Sequence, residues 1–529
     1  MPAGLKPGCP KALLLALLAL ALVVFAVPAG RRPFWSSDEA RFAVLAQDIL
    51  DHDRWLVPYL RGEFYLNKPQ LYFWSIALVS LPAGRVTELS AAVPSVVAAV
   101  ATVAAVAAIG RLLWSWPVGL LAGLLLVATP AVYVFTHAVL ADMMMTSFMT
   151  WALYFCLRAL REGSRLAAVA FYACVAAAVL TKGFAGFTVL VAAAVATALT
   201  RGPGGLVALR PLYGLGVLCA AALVWFAPYL ASTGGGFVSR VLVNHYAPWY
   251  LQGALGPRLG QLIALLVNFM PWTLILAAAV VWWRRHADEG RRWIVAATLT
   301  LALLLALSGT QRARYLLPVY PGMALLAAEF VAHAGRAGAG RALAAAMWAT
   351  AALATLGAAS APLLLPHVSG HDRVFVPEGA GETAALVALA GAMAAVLAVA
   401  VRRGSHAAGV TAAALIVVVA LLLAGVTYPL RYTRDYDLRP VARAAAQLTV
   451  PGVPVIVYPD TGPSFDFYVR RPVLSPPSPA AAAALASELP SVIVTTGGRW
   501  GELATALAPP WRVVTARNVA GKQMILLAP

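Results

Sequence analysis

The sequence predicts a polytopic α-helical membrane protein with about thirteen transmembrane helices, followed by a small C-terminal α/β domain on the external side. Three observations carry that expectation. The 529 residues are 61% hydrophobic and only 11% charged, with a mean hydropathy of +0.81, whereas about a quarter of a soluble globule is charged. Runs of Ala, Leu and Val recur near the roughly 20 residues that cross a hydrocarbon core as helix, too long and too uniform for the alternating strands of a membrane barrel. After Tyr428 and Pro429 the composition changes to short strand-like runs (VPVIVY, SVIVTT, WRVVTA, QMILLA) between Ala-rich helical stretches, the pattern of a small α/β unit.

Taken in order, the first apolar run, 12–27, follows Lys6 and Lys11 and ends at Pro28. It reads as a span or as a signal peptide, since AVPAG offers small residues near a cleavage site. Either way the chain beyond Arg31 lies on the far side of the membrane. Residues 29–87 form a loop with amphipathic, aromatic stretches such as PQLYFWSIALVSL, suited to short interfacial helices. Further spans are expected at about 90–110, 117–135, 139–157, 166–181, 184–200, 212–230, 261–283, 293–309, 316–334, 342–365, 382–401 and 408–427. The chain thus divides into a transmembrane domain, 1–428, and an external domain, 429–529.

The net charge of +18 does not indicate nucleic acid, because the basic residues sit in short clusters between apolar runs and no nucleic-acid module is present. Arg111, then Arg158, Arg161 and Arg165, then Arg201 and Arg210, then Arg284, Arg285, Arg291 and Arg292, then Arg336 and Arg341, then Arg402 and Arg403 occupy alternate loops. Those loops are cytoplasmic by the positive-inside rule. An odd span count then leaves the C-terminus outside. Cys9, Cys156, Cys174 and Cys219 lie in the leader or in apolar runs, so neither a disulfide framework nor a CxxC metal motif is implied.

Chemistry concentrates in the external loops. Asp38 and Glu39 follow two serines in SSDEARF. Adjacent residues on a helix point about 100° apart, so both acids cannot face one substrate, and Ser36 or Ser37 suits a helix N-cap, which would make Asp38 a dipole-stabilised first-turn residue. Asp142 opens an apolar span in AVLADMMMTSF, and it too has a dipole reading. Topology weighs against both, since the two acids come from separate loops on one membrane face and can converge on one cavity. Lys68, in YLNKPQL, and Lys182, in the tight turn TKG, are phosphate contacts or interfacial anchors. Arg312 and Arg314 in QRARYLLPVYP break the positive-inside bias, so topology alone does not explain them. Loop 231–260 holds Arg240, Asn244, His245 and Arg258 among belt-type aromatics; His245 has no HxxxH or HExxH partner, so a metal site is weakly supported. Glu39, Arg41, Tyr65, Arg240, Asn244, His245 and Arg258 are the weaker candidates for acceptor or sugar contacts.

The ordered segments DEARFAVLAQDIL, WLVPYLRGEFYLNKPQLYFW, AVLADMMMTSF, LTKGFAGF and SGTQRARYLLPVYP resemble the bacterial aminoarabinose transferase (ArnT-like) family of the GT-C superfamily, with protein O-mannosyltransferases as more distant relatives. PSFDFYVRRPV resembles that family's external domain. The resemblance covers nearly the whole chain. It implies a GT-C fold of thirteen spans in the bacterial inner membrane, an undecaprenyl-phosphate sugar donor and an external acceptor, lipid A or another envelope glycolipid. It also implies Asp38 as catalytic acid or base, Asp142 as supporting acid, and Lys68, Arg312, Arg314, Tyr315 and Tyr320 at the donor phosphate, with Lys182 as a further contact. Two departures stand out: Asn67 and Gln70 replace the Glu and second Pro usual around the lysine, and NHYAPWY replaces an HNxxRF-like stretch. No cofactor is firmly implied, and a divalent metal stays open.

A protein O-mannosyltransferase-like enzyme differs only in acceptor. A lipid-linked sugar transporter or flippase would also need many helices and buried charge, but the sequence has no internal repeat of the kind such proteins carry.

Overall fold

A computed structural model describes residues 9–529 apart from 35, 66, 234–254, 284–287, 308–311, 334–338, 365–366, 368–375 and 509. The chain is a polytopic helical membrane protein. Among the described residues eight helices are long and apolar enough to cross a bilayer, and two bent helix pairs that pass the same test together make ten. The first apolar run forms a shorter apolar helix, Pro10–Ala26.

Two predicted spans differ in shape from straight rods, and the two predicted at 166–181 and 184–200 form one helical stretch that reverses. Region 117–135 is two helices, Trp116–Val127 and Pro130–Thr136, bent by 63°, and region 261–283 is Gly260–Asn268 and Thr273–Trp283, bent by 106°. Pro130 and Pro271 sit at these breaks; proline lacks the amide hydrogen and disfavours helical geometry in the residue before it. The long helical stretch Arg165–Arg201 doubles back on itself. Lys182, at its middle, pairs with Asp142 at one end of helix Ala141–Glu162, while Arg201 donates to the Leu160 carbonyl near the other end of that helix. A 3-10 turn, Gly183–Phe187, makes the reversal, and it packs so closely that a Cβ on Gly186 would lie 2.4 Å from the amide nitrogen of Val179.

The loop after the first apolar helix contains two helices, the surface helix Ser37–His52 and Leu71–Ser80. Between them β1 (Tyr59–Leu60) and β2 (Glu63–Phe64) pair antiparallel. The two-residue turn Arg61–Gly62 has φ of 53° and 82°, the doubly left-handed conformation that matches strand twist in a tight hairpin.

The last membrane helix, His406–Tyr436, runs eight residues beyond the compositional boundary at Tyr428. The C-terminal unit then builds a five-stranded sheet, β4-β3-β5-β7-β6, from β3 (Val455–Tyr458), β4 (Val473–Leu474), β5 (Ile493–Thr496), β6 (Arg512–Val519) and β7 (Lys522–Ala528). β3 runs parallel to β4 and β5, whereas β7 runs antiparallel to β5 and β6. Alternation along the strands fills both faces. Val455, Val457, Val494 and Leu526 pack with Val441, Ala445 and Phe465 on one side; Ile456, Ile493, Ile525 and Leu527 pack with Ala482 and Leu503 on the other.

Helix Pro463–Val469, from the PSFDFYV segment, docks this unit on the start of the surface helix. Phe34 and Phe467 meet edge to face at 4.8 Å, the Tyr468 hydroxyl accepts from the Phe34 amide at 2.9 Å, and Arg61 is shared by Asp460 and Asp466. Phe467→Ala removes the central buried ring, at a cost of about 3–5 kcal/mol to that packing. Limited proteolysis of the purified protein should then cut between Tyr436 and Arg439 markedly faster than in wild type.

Candidate active site

The site is assembled from four segments whose charged residues neutralise one another. Ser36 caps the surface helix: its hydroxyl accepts from the Glu39 amide at 3.3 Å, and Glu39 reaches back to the Ser36 amide at 3.0 Å. This capping box fixes the first turn and the direction of Asp38. Asp38 Oδ1 accepts from Arg41 at 2.7 Å, and Oδ2 from Arg314 at 2.8 Å and Arg312 at 3.4 Å. Asp142 is buried at the start of helix Ala141–Glu162, ion-paired to the buried Lys182, with Arg314 Nε 3.7 Å away. Arg314 therefore links the two acids. The Tyr315 ring lies under Lys182 Nζ at 4.1 Å and under Arg314 at 5.5 Å, both within cation–π range.

Residues 312–320 are held in place by a helix contact. Helix Tyr320–Ala332 packs so tightly on helix Glu289–Ala306 that a Cβ on Gly322 would lie 2.0 Å from Thr298 Oγ1. The 3-10 segment Ala313–Val319 precedes this contact and carries Arg314 and Tyr315 toward the acids.

Lys68 is half-buried and interacts electrostatically with Lys182, Asp142, Asp38 and Arg314. Burial first, then the charge of Lys182 and Arg314, only partly offset by Asp142 and Asp38, pushes its pKa down to about 8. Asp38 moves the opposite way from what its burial would cause. Desolvation would raise its pKa, but Arg314, Arg41 and Arg312 together hold it below the ordinary carboxylate value. The buried Tyr65 hydroxyl, near Arg41 and Asp38, is pushed up to about 12, chiefly by desolvation.

Five cations (Arg41, Lys68, Lys182, Arg312, Arg314) thus surround two carboxylates, an excess of three positive charges. That arrangement suits an anion. It does not suit a divalent cation: both carboxylates are engaged by guanidinium or ammonium groups, and among the described residues no group of three His, Cys, Asp or Glu could hold a metal ion.

The remaining candidates sit elsewhere. Glu39 is 1% exposed and points away from Asp38, accepting from both terminal nitrogens of Arg32 (2.7 and 3.1 Å), from the Val139 amide (3.0 Å) and from Ser36. Tyr320 lies in the core, stacked on Phe269 at 6.0 Å. Arg240, Asn244 and His245 lie outside the described residues, as does the side chain of Arg258. Gln70 is buried and donates to the Leu56 carbonyl at 2.9 Å, shaping the approach to Lys68. Sequence reasoning missed Arg32 and its neighbour His137, whose pKa burial and the Arg32 charge push down to about 3. The signal was available: Arg31 and Arg32 follow the first apolar run on the side that the alternation of basic loops reads as external, against the positive-inside trend.

The chain is a polytopic membrane protein whose fold matches that of the solved ArnT structures. ArnT from Cupriavidus metallidurans, solved bound to undecaprenyl phosphate, is similar to the chain with a TM-score of 0.80 over 97% of both chains, at 19% identity. In sequence, the undecaprenyl phosphate-α-4-amino-4-deoxy-L-arabinose arabinosyl transferase of Pectobacterium carotovorum is 26% identical over 337 residues, and its counterpart from Pseudomonas aeruginosa PAO1 is 28% identical over 322. These alignments cover 60% and 58% of this chain and 58% and 56% of the relatives' length. The model of the dolichyl-phosphate-mannose-protein mannosyltransferase family matches residues 67–231. The chain thus resembles aminoarabinose transferases in sequence and has their fold.

The depressed Lys68 pKa gives a signed pH dependence. Below about pH 8 the ammonium is charged and attracts an anion; as pH rises through 8 that charge is lost. Affinity of the purified protein for undecaprenyl phosphate should fall between pH 7.5 and 9, and Lys68→Arg, which stays charged, should flatten that fall. An unchanged wild-type affinity across the range would remove Lys68 from the phosphate site.

Proposed function

We propose that the protein is a membrane glycosyltransferase that moves a sugar from an undecaprenyl-phosphate-type donor to lipid A or a related envelope glycolipid, as aminoarabinose transferases do. The observation that supports this most is the Asp38–Arg314–Asp142–Lys182 lattice with Lys68 and Arg312 beside it. It combines a carboxylate kept ionised with cations in excess, which transfer from a lipid phosphate requires.

In this reading Lys68, Arg312 and Arg314 hold the donor phosphate. Asp38 takes the proton of the acceptor hydroxyl as its oxygen attacks the anomeric carbon from the face opposite the phosphate. The bond from that carbon to the phosphate oxygen breaks, its electron pair leaves with the polyprenyl phosphate, and the configuration inverts. Asp142 acts through Lys182 and Arg314, holding both cations in place.

The same reading puts the cluster and residues 429–529 on the periplasmic side of a bacterial inner membrane, with residues 1–428 as the catalytic membrane domain. Support comes from helix Ala141–Glu162, which carries Asp142 at one end and Arg158 and Arg161 at the other, about 24 to 29 Å away at 1.5 Å per residue. The basic loops and the acids thus belong to opposite membrane faces, as the positive-inside rule requires.

Asp38→Asn keeps the shape of the side chain and removes its basicity. Transfer from an undecaprenyl-phosphate sugar should fall by about 100-fold to 10,000-fold, while thermal stability and binding of undecaprenyl phosphate stay near wild type. Near-normal turnover would sink the assignment of Asp38.

A further inference from the structure

A second concentration of positive charge lies away from the lattice, where the C-terminal unit meets the first external loop. Two adjoining cavities of about 540 and 660 Å³ open there, and both are lined by Arg85, Phe467, Arg470 and Arg471; Arg443 and Arg439 line the smaller one. Arg85, Arg443 and Arg470 are exposed and Arg471 is half-exposed. Among the described residues none of these four guanidinium groups has an ion-pair partner. Arg439 is satisfied by Asp437 at 2.7 Å and Glu88 at 3.6 Å. Two acids of the larger cavity are engaged, Asp48 by Arg54 and His52 and Asp466 by Arg61; the third, Asp51, accepts from Gln47 at 2.8 Å and faces Arg85, Arg470 and Arg471 in the same wall, which leaves the lining net positive.

Four unpaired arginines around one cleft repel one another, and such a cluster attracts a multiply charged anion. Planar guanidinium forks match phosphate oxygens in particular. The volume admits far more than an inorganic ion, and the half-buried Tyr468 supplies a ring of the kind that packs against a sugar. The groove also sits at a set distance from the lattice. Asp48 in its wall is ten residues along the surface helix from Asp38, about 15 Å at 1.5 Å per residue.

We propose that this groove is an acceptor subsite that binds a phosphate-bearing sugar of the glycolipid headgroup, anchoring one end of the acceptor while another oxygen reaches Asp38. The proposal rests on the glycolipid-acceptor reading above. It assigns Arg470 and Arg471 of PSFDFYVRRPV a binding role and explains why the C-terminal unit is clamped to the surface helix that carries Asp38.

The test uses the full-length protein and its Arg85→Ala/Arg471→Ala double variant. Binding is measured to nanodiscs carrying lipid A, phosphate-free lipid A or phosphatidylglycerol, with undecaprenyl phosphate binding as the folding control. The variant should bind lipid A about tenfold or more weakly, the loss expected for at least one charged contact, and bind undecaprenyl phosphate like wild type. The Lys double variant should recover part of the loss. Wild-type affinity for lipid A in the Ala variant overturns the proposal, as does equal wild-type binding of the phosphate-free lipid. Phosphatidylglycerol bound with the same dependence on Arg85 and Arg471 overturns the commitment to the acceptor. Sugar transfer to lipid A is followed in parallel: if wild type transfers none while the arginine-dependent binding holds, the acceptor reading fails and the groove stands.

Discussion

The ion-pair lattice from Asp38 through Arg314 to Asp142 and Lys182 is the constraint on which the rest of the molecule depends. Asp142 and Lys182 are almost wholly buried, and taking such charges out of water costs several kcal/mol per ion unless each finds a partner. Each partner here comes from a different segment: the loop after the first apolar helix, the start of helix Ala141–Glu162, the reversal at Gly183, and the 3-10 turn after Arg312. A fold that failed to bring these four together would leave an uncompensated charge beside lipid. The lattice therefore stabilises the arrangement that the proposed chemistry uses.

Several contacts outside the lattice set its geometry. The Ser36–Glu39 capping box and the buried Arg32–Glu39 pair lock the first turn of the surface helix against the Val139 amide, so the loop leading to Asp142 and the helix carrying Asp38 share one carboxylate as their joint. The C-terminal unit presses on the same turn through Phe467 and Tyr468. From the membrane side, the Gly322–Thr298 contact fixes where Arg314 and Tyr315 emerge.

Much of this was legible in the sequence because hydropathy and charge position are one-dimensional signals. Alternating basic loops predicted that Asp38 and Asp142 share a membrane face, and Arg312 and Arg314 stood out because they violate that alternation. The strand-like runs after Tyr428 correspond to β3, β5, β6 and β7. Other features depend on three-dimensional proximity and left little trace. The pairing of Glu39 with Arg32 rather than with the Asp38 group follows from the helical angle between adjacent residues, but its partner could not be named from spacing. The bends at Pro130 and Pro271 were hidden inside apolar runs whose total length suited a straight span. The family resemblance placed Tyr320 at the donor phosphate with Arg312, Arg314 and Tyr315, whereas helix packing turns that ring into the core against Phe269.

In the proposed reading, an excess of cations around the two paired acids forms a preorganised site for a lipid phosphate. A cryo-electron microscopy structure of the protein in nanodiscs with undecaprenyl phosphate tests it most directly. The account predicts the phosphate within about 3 Å of Lys68 and of Arg312 or Arg314, with Asp38 still held by Arg41. Phosphate density away from these residues, with the lattice unchanged and Lys68 making no contact to it, would contradict the account.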